Sequence, residues 1–414
     1  MLLARQADAD PDAILPLLVS DGRLRGEGWL RLGLFLAWFA VAGWLAAGHV
    51  MWRDEVRALT LALSGDNVRA MLVAIHGEGH PALWYLLLRG AHVLIGNAAL
   101  PAVAFAVGAS AAALFAWRAP FRPLVIAAVL FSAFCLREYT VLARNYGISM
   151  VVMFAFAWAY PRWRERGVGL GVLLALLANT NVPSVLLAGA LALFWGVEIL
   201  CADGVRWTPA WRRYLVNMGV LLLGVLACVA EVYPPFNDAA VSPMAGQLSV
   251  GAVLLAAVNV TAPFAALVPD ALWTVPVAVL LLAAMVVGGP LGLVRSPGGL
   301  AAALTAMVAL PLFFQIVYPG GYRHQALYIV LLLTLYWLVT NGHGGRWSAR
   351  APLLRPTTQV ALQRWGQAAF LALLLTQVGI SVGLVVAAAH GQVYSRSRDL
   401  AAMLKRDGLN RAVV

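Results

Sequence analysis

The sequence predicts an all-α, polytopic membrane protein with about 11 transmembrane helices. Hydrophobic residues make up 62% of the 414-residue chain and charged residues only 11%, whereas a soluble domain contains about 25% charged residues. Apolar stretches close to the roughly 20 residues that cross a bilayer recur along the whole chain. Helices satisfy their own backbone hydrogen bonds in lipid, so these stretches are expected to be helical.

Arginine placement sets the number of crossings. The apolar segments lie at residues 28–49, 81–96, 99–117, 123–136, 146–160, 168–180, 184–201, 214–231, 271–294, 299–318, 326–340 and 366–390. Arginine-rich loops face the cytoplasm. The arginine-rich connections alternate with the charge-balanced ones along the chain only if segment 81–96 does not cross the membrane. That segment spans about 24 Å as a helix and carries Arg89 and His92, so we expect an interfacial helix. A plain count of the apolar segments is twelve, and the count is nine if the short pair 168–180 and 184–201 forms a re-entrant hairpin, so counts from nine to twelve stay open.

The chain divides into three parts. Residues 1–27 form a cytoplasmic N-terminal segment, 28–390 the transmembrane domain, and 391–414 a periplasmic tail that could begin a further soluble domain. Within the transmembrane domain, 50–97 form the first periplasmic loop. Its stretches 55–64 and 67–76 have apolar residues at helical spacing, which predicts amphipathic helices on the membrane surface. Asp66 or Asn67 can cap the second helix, and Gly77 can end it.

Charge and cysteine usage exclude several classes. The net charge of +11 comes almost entirely from arginine, since Lys405 is the one lysine. The arginines belong to loops, and no basic stripe interleaves with aromatics, so no nucleic-acid partner is expected. The three cysteines form no C-x-x-C pair, which argues against a zinc site or a disulfide framework. The arginine, alanine, glycine and valine bias favours a GC-rich bacterial genome and therefore the inner (plasma) membrane.

The densest group of polar residues falls on the predicted periplasmic side. Ionisable groups at membrane depth are costly and are functional candidates. Each also has a structural interpretation: Asp54 and Glu55 could simply begin a helix, and Arg144 and Arg323 could snorkel. The group comprises Trp52-Arg53-Asp54-Glu55, the stretch from His76 to Tyr85, the stretch from Arg137 to Tyr146, and the stretch from Tyr318 to Gln325.

A divalent metal is left open as a cofactor. His76, Glu78 and His80 offer ligand types that bind divalent ions. Gly77 and Gly79 make the stretch a turn rather than a helical chelate. These three residues are the metal-ligand candidates, and no cofactor is otherwise expected.

Three motifs in this order resemble the GT-C superfamily of integral membrane glycosyltransferases. They are W-x-D-E at Trp52–Glu55, H-P-x-L-x-Y at His80–Tyr85 and A-R-x-Y at Ala143–Tyr146. The chain is most similar to bacterial relatives of protein O-mannosyltransferases and of lipid A aminoarabinose transferases, although Ala82 stands where a second proline is usual. The resemblance implies a GT-C module and a polyprenyl-phosphate-linked sugar as donor.

The resemblance also implies roles for individual residues. Asp54 matches the catalytic acidic position and is expected to act as general base in an inverting transfer, with Glu55 orienting the acceptor or sharing that role. The leaving lipid phosphate is expected to bind arginine. The remaining substrate-binding candidates are Arg144, Arg323, Tyr322, His324, Glu78, Glu138, His80, Tyr85 and Tyr146.

Two other functions remain open. A transporter or flippase of lipid-linked sugar predicts broken or charged helices near the midplane and an internal repeat, and no repeat is visible. A non-catalytic envelope-assembly subunit would bind lipid-linked sugar with much the same groups. For the enzyme, the expected partners are the lipid-linked donor, membrane lipids and a periplasmic lipid, glycan or protein acceptor.

Overall fold

The fold is helical throughout the part of the chain that the structure describes. The computed structural model describes residues 17–19, 26–234, 251, 261–268, 276–347 and 354–409. Within these ranges no β-strand forms, and Val19 and Phe121 make an isolated bridge. The all-α prediction is confirmed there, whereas most of the predicted segment 1–27 and the tail end 410–414 lie outside the described residues.

The helix bounds follow the predicted apolar segments closely. Short π-helical and 3₁₀ turns lie at Phe134–Glu138, Gly96–Ala98 and Ala262–Leu267. The α-helices are α1 Glu27–Gly48, α2 Arg53–Ala62, α3 Val68–Ile75, α4 Leu83–Ile95, α5 Ala99–Arg118, α6 Pro123–Leu130, α7 Tyr146–Trp163, α8 Gly169–Ala178, α9 Val182–Asp203, α10 Pro209–Val232, α11 Pro276–Leu291, α12 Pro297–Ile316, α13 Tyr322–Thr340, α14 Pro356–Ala389 and α15 Ser397–Arg406.

Several of these helices can cross a bilayer. Six stretches are long and apolar enough, namely α1, α4 together with α5, α9, α10, α12 and α14. Their length matches the hydrocarbon thickness of a membrane, so the chain is membrane-embedded. The other predicted crossings coincide with helices that are shorter, less apolar or more charged, such as the ten-residue α8. The total of about 11 crossings stays a prediction.

The two predicted amphipathic helices of the first loop are present as α2 and α3. Asn67 caps α3, where its Oδ1 accepts a hydrogen bond from the Ala70 amide at 2.9 Å, and Gly77 follows α3 with φ of 75°. Arg89 of α4 donates to the Ala62 carbonyl at 3.0 Å. The arginine therefore satisfies the otherwise unpaired carbonyl end of α2 instead of facing lipid.

The predicted helix at 123–136 is broken in the middle. Ser132 Oγ donates to the Val129 carbonyl at 2.6 Å and accepts from the Cys135 amide at 3.2 Å, so a serine side chain competes with the helical backbone bonds. A π-helical turn follows, of the kind that often occurs at functional sites. Irregular backbone at membrane depth is tolerated when protein surrounds it, and Phe134 is fully buried.

Small residues let neighbouring helices close on this irregular segment. A Cβ at Gly108 of α5 would lie 2.2 Å from Thr140 Oγ1, and one at Gly147 of α7 would lie 2.4 Å from the Tyr139 carbonyl oxygen. Only glycine permits such close approaches. These contacts hold the segment so that residues 137–145 lie at the end of the bundle where α1 ends and α7 begins. We call this end the cleft end.

Replacing Gly366 by alanine is expected to lower the stability of the helix bundle. A Cβ there would lie 2.1 Å from the Gly292 amide nitrogen, so α11 and α14 would have to separate. Overpacking of this kind costs about 1–3 kcal/mol. Gly379→Ala, in the same helix with no atom within 4 Å of its Cβ, is the matched control. Denaturant unfolding in detergent micelles measures both, and equal stabilities of the two variants would contradict the packing described.

Candidate functional site

A polar cleft lies at the cleft end of the bundle. α2, the turn between α3 and α4, and the segment before α7 all reach this end, and each contributes side chains. The cleft encloses about 120 Å³. It brings together five residues that the sequence predicted as site residues, and these are Asp54, Glu78, His80, Tyr85 and Arg144.

Asp54 presents its carboxylate to the cleft. It occupies the first turn of α2 and its side chain is 28% exposed. Arg144 donates to the Asp54 carbonyl at 3.1 Å, while its guanidinium lies 3.9 Å from the carboxylate. Arg53 contacts the other carboxylate oxygen at 3.3 Å. Strong charge-assisted hydrogen bonds are shorter than either contact, so the Asp54 carboxylate keeps the capacity to accept a further hydrogen bond.

Glu55, its neighbour, is fully buried and engaged by protein groups. Its oxygens accept hydrogen bonds from the Ala143 amide at 2.6 Å and the Trp52 amide at 3.0 Å. The ring nitrogen Nε2 of His49 lies 2.9 and 3.0 Å from the two oxygens. Glu55 therefore joins the end of α1, the start of α2 and the segment before α7. The geometry favours a positioning role over the catalytic role that the sequence suggested.

Arg57 and Glu78 form an ion pair across the cleft. Arg57 Nη2 donates to Glu78 Oε2 at 2.6 Å, and the Glu78 side chain is 12% exposed. Arg57 lies one helical turn after Asp54, so both side chains lie on the same face of α2. This contact supports a role for Glu78 in holding an arginine in place.

His80 is neutral at physiological pH. Its burial, followed by the nearby charge of Arg144, lowers its pKa from 6.5 to about 3. Arg144 Nη2 donates to Nε2 of His80 at 3.3 Å, and a backbone hydrogen bond joins His80 to Glu78. A neutral ring can accept from the guanidinium, whereas a protonated one would repel it. His80 thus fixes Arg144 without cancelling its charge.

An apolar cavity adjoins the polar cleft. It encloses about 230 Å³, and its lining is dominated by apolar groups such as Val182, Pro183 and Phe313. His80 and Tyr318 line both spaces. A polar compartment and an apolar one therefore meet at two shared side chains.

Arg323 and Glu138 lie outside the cleft, in a group that we call the rim cluster: Trp52, Arg137, Glu138, Arg323 and Tyr394. Glu138 accepts from Arg137 at 2.8 Å and lies 3.7 Å from Arg323. The guanidinium of Arg137 stacks on Tyr394 at 4.7 Å, and that of Arg323 on Trp52 at 5.4 Å. Arg323 and Glu138 thus have partners within the rim cluster. Arg323 does not lie in the cleft with Arg144.

The tail closes the rim cluster from the other end of the chain. The Tyr394 hydroxyl lies 3.4 Å from Arg323 Nη2, and Ser397 Oγ donates to the Met51 carbonyl at 2.6 Å. The following helix α15 carries exposed Leu400 and Met403. The helix spans Ser397–Arg406, and the described residues end at 409.

The remaining predicted residues lie beside the apolar cavity or within the bundle. The Tyr146 hydroxyl lies 2.7 Å from Nε2 of His324, and both residues line the cavity. Nδ1 of His324 accepts from the Gly321 amide at 3.1 Å, which assigns the proton to Nε2. The Tyr322 hydroxyl donates to Gln377 at 2.8 Å and does not reach the cleft.

The three candidate metal ligands do not converge. His76 acts electrostatically on Glu231 of α10, Glu78 pairs with Arg57, and His80 contacts Arg144. Across the described ranges no group of three histidine, cysteine or carboxylate side chains is placed to hold an ion. The donor geometry of this turn does not fit a divalent metal.

Two contributors were missed at the sequence level. Arg57 could have been found, because it follows Asp54 by one helical turn on a predicted amphipathic helix. Tyr394 could not, because its contact with Arg323 joins residues 71 positions apart and no local pattern indicates it.

A scan against protein-family models, a search of curated proteins and a search of solved structures each find no match for this chain. The resemblance to GT-C glycosyltransferases rests on the three sequence motifs and stays a prediction.

Truncating the two neighbouring carboxylates is expected to change stability by very different amounts. Glu55→Ala removes the acceptor of two buried amides and of His49, which should lower the free energy of unfolding by about 3 kcal/mol. Asp54→Ala removes a partly exposed group with long contacts and should change it by less than about 0.5 kcal/mol. Denaturant unfolding of the two variants tests this. Equal effects would show that Glu55 is not the structural partner.

The neutral state of His80 predicts a pH dependence of stability. Below pH 6.5 the unfolded chain binds a proton at this residue, while the folded chain resists it down to about pH 3. Stability should therefore decrease as the pH is lowered through this window, and this group contributes about 1.4 kcal/mol per pH unit. His80→Asn should make the profile less steep, and His390→Asn, which removes an exposed histidine, should leave the slope unchanged. Parallel profiles for His80→Asn and wild type would contradict the assignment.

Proposed function

We propose that the protein transfers a sugar from a polyprenyl-phosphate-linked donor to an acceptor hydroxyl. The observation that carries this proposal is the junction of the polar cleft with the apolar cavity at His80 and Tyr318. An amphiphilic donor matches both compartments, with its sugar and phosphate in the cleft and the first part of its chain in the cavity. Binding sites with mostly apolar walls and a few placed polar groups are typical of such ligands.

Asp54 is assigned as the general base. The acceptor hydroxyl is a poor nucleophile until its proton is removed. In the proposed step the acceptor oxygen attacks the anomeric carbon, its proton passes to the Asp54 carboxylate, and the bond from that carbon to the phosphate oxygen breaks. The bonding electrons remain on the lipid phosphate. Attack opposite the leaving group inverts the anomeric centre.

Arg144 and Arg57 are assigned to the departing phosphate. Both line the cleft, and guanidinium groups stabilise the negative charge that develops on a phosphate oxygen. Arg57 is assigned to the phosphate instead of Arg323, because Arg323 belongs to the rim cluster. His80 and Glu78 hold the two arginines through the contacts described above.

The proposed topology explains the use of a lipid-linked donor. With about 11 crossings and a cytoplasmic N-terminus in a bacterial inner membrane, the cleft faces the periplasm. Nucleotide sugars are made in the cytoplasm, so a periplasmic enzyme requires a donor carried across by lipid.

Tyr85 and Asn145 in the cleft wall are the groups assigned to the sugar or the acceptor.

Transfer from a radiolabelled panel of polyprenyl-phosphate sugars tests the proposal. Purified protein in membranes, supplied with cell-envelope lipid extract, is expected to transfer one of them. Asp54→Asn should reduce the rate by a factor of about 10² to 10⁴ and leave donor binding intact. Asp66→Asn, an exposed carboxylate of the same loop, is the matched control and should retain full activity.

Three results would revise the assignment. Wild-type rates in Asp54→Asn would remove the proposed base. Donor binding without transfer by the wild type would favour a non-catalytic assembly subunit. Loss of transfer on adding a chelator would bring back a metal-dependent reaction.

A further inference from the structure

A second cavity lies at the end of the bundle opposite the cleft. α12 runs from this second end to the cleft end, and α13 runs back in the opposite direction. The two sites are therefore separated by the length of these helices. The cavity encloses about 200 Å³. Its polar and cationic lining residues are Arg295, His343, Arg346, Trp347, Gln359 and Gln363.

The electrostatics of this cavity favour an anion. Two arginines and a histidine line it, and no described residue of the lining is a carboxylate. Glu198 lies 3.2 Å from His343. It is already engaged by Arg164 at 2.5 Å and by the Gly344 amide at 3.0 Å. Among the described lining residues, no carboxylate therefore offsets the charge of Arg346.

A rigid glycine turn forms one wall of the cavity. Gly342, Gly344 and Gly345 have φ of 84°, 94° and 75°, a region that other residues rarely adopt. The turn packs on the start of α12, where the Gly298 amide donates to the Gly344 carbonyl at 2.8 Å and Ser296 Oγ donates to the same oxygen at 3.2 Å. These hydrogen bonds hold the turn against the start of α12.

Two polar side chains of the lining are left without partners. Gln363 of α14 is 4% exposed, yet its amide makes no hydrogen bond to any described residue. Buried amides are normally hydrogen-bonded. Arg346 also lines the cavity, is exposed, and has neither an ion pair nor a hydrogen bond within the described ranges. A ligand that accepts hydrogen bonds would satisfy both groups.

We propose that this cavity binds a phosphate group, held by Arg346 with Gln363 as an uncharged donor. Guanidinium groups match the oxygens of phosphate in bidentate geometry. Trp347 anchors the rim, since its Nε1 donates to the Val294 carbonyl at 2.7 Å, as is usual at a membrane interface. The phosphate can belong to an anionic lipid head group or to a soluble ion. The site is independent of the proposed transfer reaction.

Binding measurements on the full-length protein test the site and distinguish the two sources. One arm uses phosphatidylcholine nanodiscs with and without phosphatidylglycerol, and native mass spectrometry counts the retained anionic lipid. The other arm titrates inorganic phosphate into protein in phosphatidylcholine nanodiscs and follows tryptophan fluorescence. Arg346→Gln should weaken binding about tenfold or more, and Gln363→Leu should weaken it less.

Arg364→Gln is the matched control, because Arg364 adjoins Gln363 on α14 but is exposed and does not line the cavity. Retention of phosphatidylglycerol alone that depends on Arg346 identifies a lipid head group, and a phosphate response that depends on Arg346 identifies a soluble ion. Binding of neither probe, or binding reduced equally in Arg346→Gln and Arg364→Gln, would overturn the proposal. Sugar transfer at the cleft should be unchanged in all three variants.

Discussion

A carboxylate without access to water must find every hydrogen bond inside the protein, and Glu55 meets this requirement by joining three separate parts of the chain. The end of α1, the start of α2 and the segment before α7 each supply one donor to it. These are the elements that carry Asp54 and Arg144. The relative position of the two charged groups therefore depends on one buried side chain that does not itself face the cleft.

The two adjacent acids, Asp54 and Glu55, differ in burial and therefore in the groups that they contact. Glu55 is fully enclosed while Asp54, one residue earlier, reaches the cleft, because consecutive residues of a helix point about 100° apart. The same separation recurs among the cations. Arg144 and Arg57 line the cleft, and Arg137 and Arg323 are engaged by aromatic rings and by Glu138. The charged groups at the cleft end are thus split between those that line the cleft and those that are held by neighbouring side chains.

Helix positions were largely predictable from the sequence, since length, hydropathy and caps act locally. The surface helices, the Asn67 cap and the break near residue 96 are examples. The break at Ser132 was not, because one serine within an apolar run rarely stops a helix and its effect depends on the packing of α5 and α7 around it. Motif order brought Asp54, His80 and Arg144 together correctly. It misplaced Arg323, because a cation near a site in sequence can be neutralised by residues far along the chain.

The contact between Ser397 and Met51 joins residues 346 positions apart. Synthesis runs from the N-terminus, so Trp52 and Arg137 enter the membrane long before Tyr394 leaves the ribosome. During that interval the guanidinium of Arg137 has Glu138 beside it but no tyrosine ring to stack on. The rim cluster is consequently a late feature of biogenesis, completed only when α14 has been inserted and the tail has folded back onto the first loop.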